Sequence, residues 1–142
     1  MKESLSSFDL LALVAEWQGL VGGYIDKVYQ SKDEVILRIN VPGTGRQELY
    51  CKAGRWLALH ETEDKPEAPP AFATAVRRRV DNARITAVEQ RGFDRVAVFT
   101  LEKGESYQLV FEMFGKGNII LTQAGNTVAA LRTQSFRHRQ IR

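Results

Sequence analysis

Residues 91–121 read RGFDRVAVFTLEKGESYQLVFEMFGKGNIIL, and this stretch limits the fold more tightly than any other. Three apolar runs, at 96–101, 107–114 and 119–121, are separated by the short breaks 103–106 and 115–118. In the middle run Tyr107, Leu109, Phe111 and Met113 alternate with Gln108, Val110, Glu112 and Phe114. That is the period of a pleated strand with one side buried. Glycine-bearing breaks of this length join antiparallel neighbours, so the stretch predicts a meander. One polar pair, Asp94-Arg95, preceded by Gly92-Phe93, stands where the first of these strands begins. A core has no use for two adjacent opposite charges there. The pair reads as a solvated surface turn or as part of a functional site, and the residues alone leave both open.

The chain ahead of this stretch supplies two helices and more strand. Ser6-Ser7-Phe8-Asp9 has the S-x-x-D form of a capping box, with Ser6 as N-cap. Leu10, Val14, Trp17 and Val21 follow at helical spacing, with Leu13 and Leu20 widening the stripe, which predicts a helix over 8–21. Gly22-Gly23 ends it, because glycine takes the left-handed conformation without a Cβ clash. Asp9 therefore has a local explanation as a capping carboxylate. Period-two patterns predict strands at 24–30, 35–41, 48–52 and 56–59, with turns at Pro42-Gly43-Thr44-Gly45 and Ala53-Gly54-Arg55. The acidic, proline-bearing segment 61–70 crosses to a second predicted helix at 71–82, where Phe72, Val76 and Val80 form the inward stripe. Arg77, Arg78 and Arg79 in its last turn complement the helix dipole; pointing in different directions, they make no single phosphate clamp. Strands at 84–90 and 127–131 complete the pattern. The predicted class is α+β, an antiparallel β-sandwich or partly closed barrel with two flanking helices. Its core is expected to hold Trp17, Phe72, Phe99, Leu109, Phe111, Ile119 and Leu121.

A chain of 142 residues, 44% of them hydrophobic, suits one domain spanning 1–142. The single cysteine, Cys51, makes no internal disulfide and is expected as a half-buried strand residue. No apolar run approaches the roughly 20 residues of a membrane span. The start, MKESLSSFD, lacks the apolar segment of a signal peptide, so the expectation is a cytoplasmic protein without membrane contact. Net charge is +3, unevenly spread: Lys116, Arg132, Arg137, Arg139 and Arg142 follow Glu112, the last acidic residue. A basic end on a near-neutral domain points to phosphate or to an acidic neighbour. The chain stops at Ile141-Arg142 without a terminating signal, so a fragment of a longer protein is expected.

Catalytic patterns are missing. There is no H-E-x-x-H, no cysteine pair and no G-x-S-x-G. His60 and His138 are the only histidines, and a zinc site would have to draw most of its ligands from carboxylates. His60 reads as a surface or cap residue at a strand end. Gly115-Lys116-Gly117 joins strand to strand and lacks phosphate-loop spacing, so it reads as a tight turn. No cofactor, no metal and no enzymatic activity are expected.

The blocks SSFDLLALVAEWQ, LVGGYIDKVYQ, GFDRV, FEMFGKGNIIL and FRHRQIR, in this order, closely resemble the N-terminal domain of the NFACT proteins. These are ribosome-associated quality-control factors, many of them known in bacteria as fibronectin-binding protein A. The resemblance covers nearly the whole chain, and GFDR and FGKGN are its most specific pieces. It implies a scaffold similar to the N-terminal domain of formamidopyrimidine-DNA glycosylase, but not that enzyme's reaction. The glycosylase nucleophile is an N-terminal proline, whereas this chain begins Met1-Lys2-Glu3 and has its first proline at Pro42.

The resemblance further implies that Asp9, Asp94 and Arg95 take part in adding untemplated C-terminal residues to stalled nascent chains. In that role they help hold tRNA on large ribosomal subunits obstructed by peptidyl-tRNA, and the ribosome supplies peptidyl transfer. An arginine can engage phosphate bidentately or stack on an unpaired base, and a carboxylate can orient it. Such a site requires the three residues to converge in space. Arg137, His138 and Arg139 match as a segment and are candidate RNA contacts without an assigned role. The expected function is thus a non-enzymatic RNA-binding module of a quality-control factor. The alternatives are a fibronectin-binding adhesin module and a glycosylase-like nucleic-acid-binding domain. The missing signal peptide and disulfide framework weigh against the first, the missing proline against the glycosylase reaction.

Overall fold

The computed structural model describes residues 6–31, 34–59, 71–92, 94–114 and 116–131. Its helices are α1 (Ser7–Glu16) and α2 (Ala71–Val80). The strands are β1 (Tyr24–Ser31), β2 (Glu34–Val41), β3 (Gly45–Lys52), β4 (Trp56–Leu59), β5 (Arg84–Gln90), β6 (Val96–Lys103), β7 (Glu105–Glu112), β8 (Asn118–Gln123) and β9 (Asn126–Ala130). They form one antiparallel sheet in the order β4-β3-β2-β1-β5-β6-β7-β8-β9. The α+β class and the meander expected from residues 91–121 are both present.

The sheet consists of two meanders, β1–β4 and β5–β9, joined where β1 meets β5. Their ladder is one residue pair, Tyr24 opposite Arg84. Beside it the Ile25 N–H donates to the Ala83 carbonyl at 2.9 Å and the Ile85 N–H to the Gly23 carbonyl at 2.8 Å. A junction this narrow lets the halves bend toward each other. They meet again at the far side, where Gly117, before β8, abuts Ala53 and Gly54 in the β3–β4 turn. A Cβ at Gly117 would lie 1.9 Å from the Gly54 nitrogen. The sheet is therefore rolled into a partly closed barrel.

The second helix bridges the two halves. It packs on β1 and reaches β6 and β9, burying Phe72, Ala73, Val76 and Val80. Gln30 of β1 holds its first turn: the buried side-chain oxygen accepts from the Ala73 N–H at 3.0 Å, satisfying a donor that has no partner inside the helix. The α-helix stops at Val80, and Asn82 adopts a left-handed φ of 67°.

The first helix lies against β5 and β6 and buries Leu10 and Val14. It too is shorter than its apolar spacing predicts. Trp17–Leu20 winds as a tighter 3-10 turn, which rotates the following residues forward around the axis. Leu20 is buried, while Val21 is turned outward and 39% exposed. Gly22 follows with φ 97°, donating its N–H to the Ile85 carbonyl at 2.7 Å.

All seven expected core residues are buried. Trp17 meets Phe99 with ring centroids 6.2 Å apart, and Phe99 meets Phe111 edge-on at 5.4 Å. Cys51 is fully buried rather than half-buried, because β3 turns it inward with Leu49. The opposite face of the sheet carries a second, smaller apolar cluster of Val96, Val98, Val110 and Ile120. The strand over residues 107–114 therefore buries parts of both sides. Among the described residues no helix is long and apolar enough to cross a membrane.

Candidate functional site

Asp94 and Arg95 sit in the turn that closes the β5–β6 hairpin. The turn is held by its backbone: the Arg91 N–H donates to the Val96 carbonyl at 2.9 Å, and the Asp94 N–H to the Arg91 carbonyl at 3.2 Å. Gln90 Nε2 donates to the Asp94 carbonyl at 2.7 Å. The neighbouring strand continues the ladder past its formal end, since the Met113 N–H donates to the Arg95 carbonyl at 2.8 Å. Asp94 is exposed and Arg95 half-buried. Pleat alternation gives the reason. Ala97 and Phe99 face the core while Val96 and Val98 face away, so the one-residue extension of the ladder puts Arg95 on the core side, whereas Asp94 belongs to the turn.

Asp9 belongs to α1, and the direction of α1 decides where it stands. Gln18 Nε2 donates to the Val88 carbonyl at 2.7 Å, and Gly22 bonds to Ile85 further along. The chain therefore ascends through α1 as it descends along β5. From Gln18 back to Asp9 a helix covers about 13 Å. From Val88 to Arg91 a strand covers about 10 Å. The start of α1 is thus directed toward the hairpin end of β5, on the core side of the sheet.

The local role of Asp9 is the capping box read from the sequence. Its N–H donates to Ser6 Oγ at 3.0 Å, and its Oδ2 accepts from the Ser6 N–H at 3.0 Å. The cap and any role at the hairpin end can be separated experimentally. Ser6→Ala removes the hydroxyl and keeps the carboxylate, with an expected loss of about 1 kcal/mol in urea denaturation. A loss within error would show that the cap contributes nothing.

Other candidates are placed less favourably or lie elsewhere. In α2 only Arg78 of the three consecutive arginines is exposed; Arg77 and Arg79 are half-buried along the helix. His60, Arg137, His138 and Arg139 lie outside the described residues. The described ion pairs, Arg38–Asp26 at 2.8 Å and Lys52–Glu34 at 3.9 Å, belong to β1–β3. Among the described residues no group of three or more His, Cys, Asp or Glu is arranged to hold a metal. A shallow pocket of about 430 Å³, lined by Glu89, Gln90, Arg91, Gly92, Val98 and Gln108, opens on the outer face beside the same hairpin.

Two features escaped the residue-by-residue reading. Phe8 is 70% exposed on the first turn of α1, and Phe114 is 45% exposed just past the end of β7. In the alternation of residues 107–114 Phe114 shares its parity with Gln108 and Glu112 but also with the buried Val110, so the pattern alone did not mark it as exposed.

A family model described as NFACT N-terminal and middle domains matches residues 6–142. The chain is 36% identical over 150 residues to the archaeal Rqc2 homolog aRqcH of Methanocaldococcus jannaschii, covering 99% of this chain and 22% of that protein. It is 30% identical over 128 residues to the human ribosome quality control complex subunit NEMF, covering 86% of this chain and 12% of that protein. The chain thus spans about a fifth or less of these relatives. Among solved structures it is similar to the N-terminal part of the fibronectin/fibrinogen-binding protein of Streptococcus suis, with a TM-score of 0.87 and 24% identity, covering 98% of this chain and 57% of that one. The N-terminal domain of fibronectin-binding protein PavA of Streptococcus pneumoniae gives a TM-score of 0.83 at 23% identity, covering 92% and 56%.

Proposed function

The chain belongs to the NFACT family, and from that premise we propose that it is the RNA-binding module of a ribosome quality-control factor. The module helps recruit tRNA to large ribosomal subunits obstructed by peptidyl-tRNA, so that the stalled nascent chain receives an untemplated C-terminal tail. It binds and positions; the ribosome performs the chemistry. Asp9, Asp94 and Arg95 contact the tRNA, with the guanidinium engaging phosphate or an unpaired base and the carboxylates orienting it. The observation that supports this reading is the antiparallel lie of the first helical segment on β5, with Gln18 bonded to Val88 and Gly22 to Ile85, which directs the start of α1 toward the hairpin end of that strand. The adhesin alternative leans on the names of the streptococcal proteins, and at 23 and 24% identity that likeness carries the fold alone.

The test is Arg95→Ala in the complete protein, read by a thermal melt and by C-terminal tailing of stalled chains in cells. The expected result is a melt near wild type with tailing lost. Wild-type tails from a folded mutant would remove Arg95 from the site. Ser6→Ala serves as the control: it lowers the melt and leaves the tails.

A further inference from the structure

We propose that the pocket beside the β5–β6 hairpin is a subsite for one unpaired nucleotide whose base carries an exocyclic amino group, as cytosine and adenine do and uracil does not. This rests on the RNA-binding reading and deepens it. The pocket holds about 430 Å³ and is lined by Glu89, Gln90, Arg91, Gly92, Val98 and Gln108. Small-ligand sites span about 300–1,000 Å³, so one nucleotide is a fitting load. The pocket is continuous with the turn that bears Asp94. Gln90, one of its walls, donates from Nε2 to the Asp94 carbonyl at 2.7 Å. The Asp94 N–H in turn donates to the carbonyl of Arg91, another wall, at 3.2 Å.

The strand ladder places the polar groups. Glu89 stands opposite Val98 and Val98 opposite Val110, and the Arg91 N–H donates to the Val96 carbonyl at 2.9 Å. Val96, Val98 and Val110 belong to the outer cluster, so Glu89 and Arg91 share that face, as does Gln108 two residues before Val110. Glu89 and Gln108 are two strands apart, about 10 Å, with Val98 on the strand between them; Arg91 is about 7 Å along β5 from Glu89. All three polar residues are exposed, and no hydrogen bond or ion pair among the described residues engages their side chains. That set fits a flat base lying over Val98 with its phosphate toward Arg91. The Glu89 carboxylate only accepts, so it favours a base amino group and repels the O4 oxygen of uracil. The Gln108 amide donates to a ring nitrogen or carbonyl on the other side of the base. A duplex uses these edges in pairing, so the nucleotide is an unpaired one. The pocket opens on the outer face and Arg95 lies on the core side, so an RNA loop engaging both passes over the hairpin turn.

The test measures binding of short single-stranded oligo(C), oligo(A) and oligo(U) RNAs to the complete protein by fluorescence anisotropy at several salt concentrations. Wild type is expected to bind the first two about 5- to 150-fold more tightly than oligo(U), the span of one well-made base contact. Glu89→Gln and Gln108→Ala shrink that ratio toward one and melt near wild type, because neither exposed side chain braces the fold. Arg91→Ala weakens all three RNAs alike and lowers the salt slope by about one. Equal binding of the three by wild type overturns the proposal, as does a preference that survives in both Glu89→Gln and Gln108→Ala. If Glu89→Gln instead tightens all three by one factor, the carboxylate only repels phosphate and the pocket reads no base. A preference lost together with a lowered melting temperature assigns the two side chains to the fold, again against the subsite. Each of these outcomes removes the subsite alone as long as Arg95→Ala still weakens binding. No binding of any RNA by the wild type removes the RNA reading with it.

Discussion

Gly117→Ala is expected to destabilise the domain by about 3–5 kcal/mol, combining a left-handed backbone with an overpacked contact. Gly117 has φ 79°, a conformation that costs an L-residue energy wherever it occurs. Its environment adds a second term. The new Cβ would lie 1.9 Å from the Gly54 nitrogen and 2.5 Å from the Ala53 carbonyl carbon and the Gly54 Cα. These are backbone atoms, so no side chain can swing aside; the β3–β4 and β7–β8 turns must separate. Gly125 isolates the conformational part, because it has φ 84° with nothing within 4 Å of its Cβ position. Gly125→Ala should therefore cost only about 1–2 kcal/mol. Urea denaturation of both variants measures the difference. Equal losses would mean that the two halves of the sheet are not in contact at Gly117, and the barrel would be open there.

That closure had no signature in the sequence, whereas the strands that it closes were plain. The alternation of Tyr107, Leu109, Phe111 and Met113 is a local property, fixed by the pleat, and it named the inward residues of β7 correctly. The S-x-x-D cap at Ser6 and Asp9 was equally local and equally legible. What stayed hidden depends on partners far along the chain. Gln30 closing the start of α2 joins residues 43 apart, and Gln18 on Val88 joins residues 70 apart. The second of these orients α1 and so determines where Asp9 stands. The end of α1 was misjudged because a 3-10 turn keeps the apolar composition of a helix while changing its rotation. The candidate residues could be named from GFDR and SSFD; the direction of α1 along β5 could not, because no periodicity encodes how a helix lies on a sheet.

Phe111→Ala should cost about 3–5 kcal/mol, the loss of a buried ring together with the cavity it leaves. Phe111 has no exposed surface and meets Phe99 edge-on at 5.4 Å, and Phe99 in turn meets Trp17 of the first helical segment. The ring chain runs from β7 through β6 to the end of α1, so the cavity opens between the sheet and the helix. Val110, the preceding residue of the same strand, provides the contrast. It is buried in the small outer cluster with Val96, Val98 and Ile120, where no helix is described. Val110→Ala removes two methyl groups and should cost about 1–2 kcal/mol. Denaturant melts of the two variants test which face of β7 holds the domain together. If Val110→Ala costs as much as Phe111→Ala, the outer face is a second core. The hairpin end that carries Asp94 and Arg95 would then be braced from both sides of the sheet, not through α1 alone.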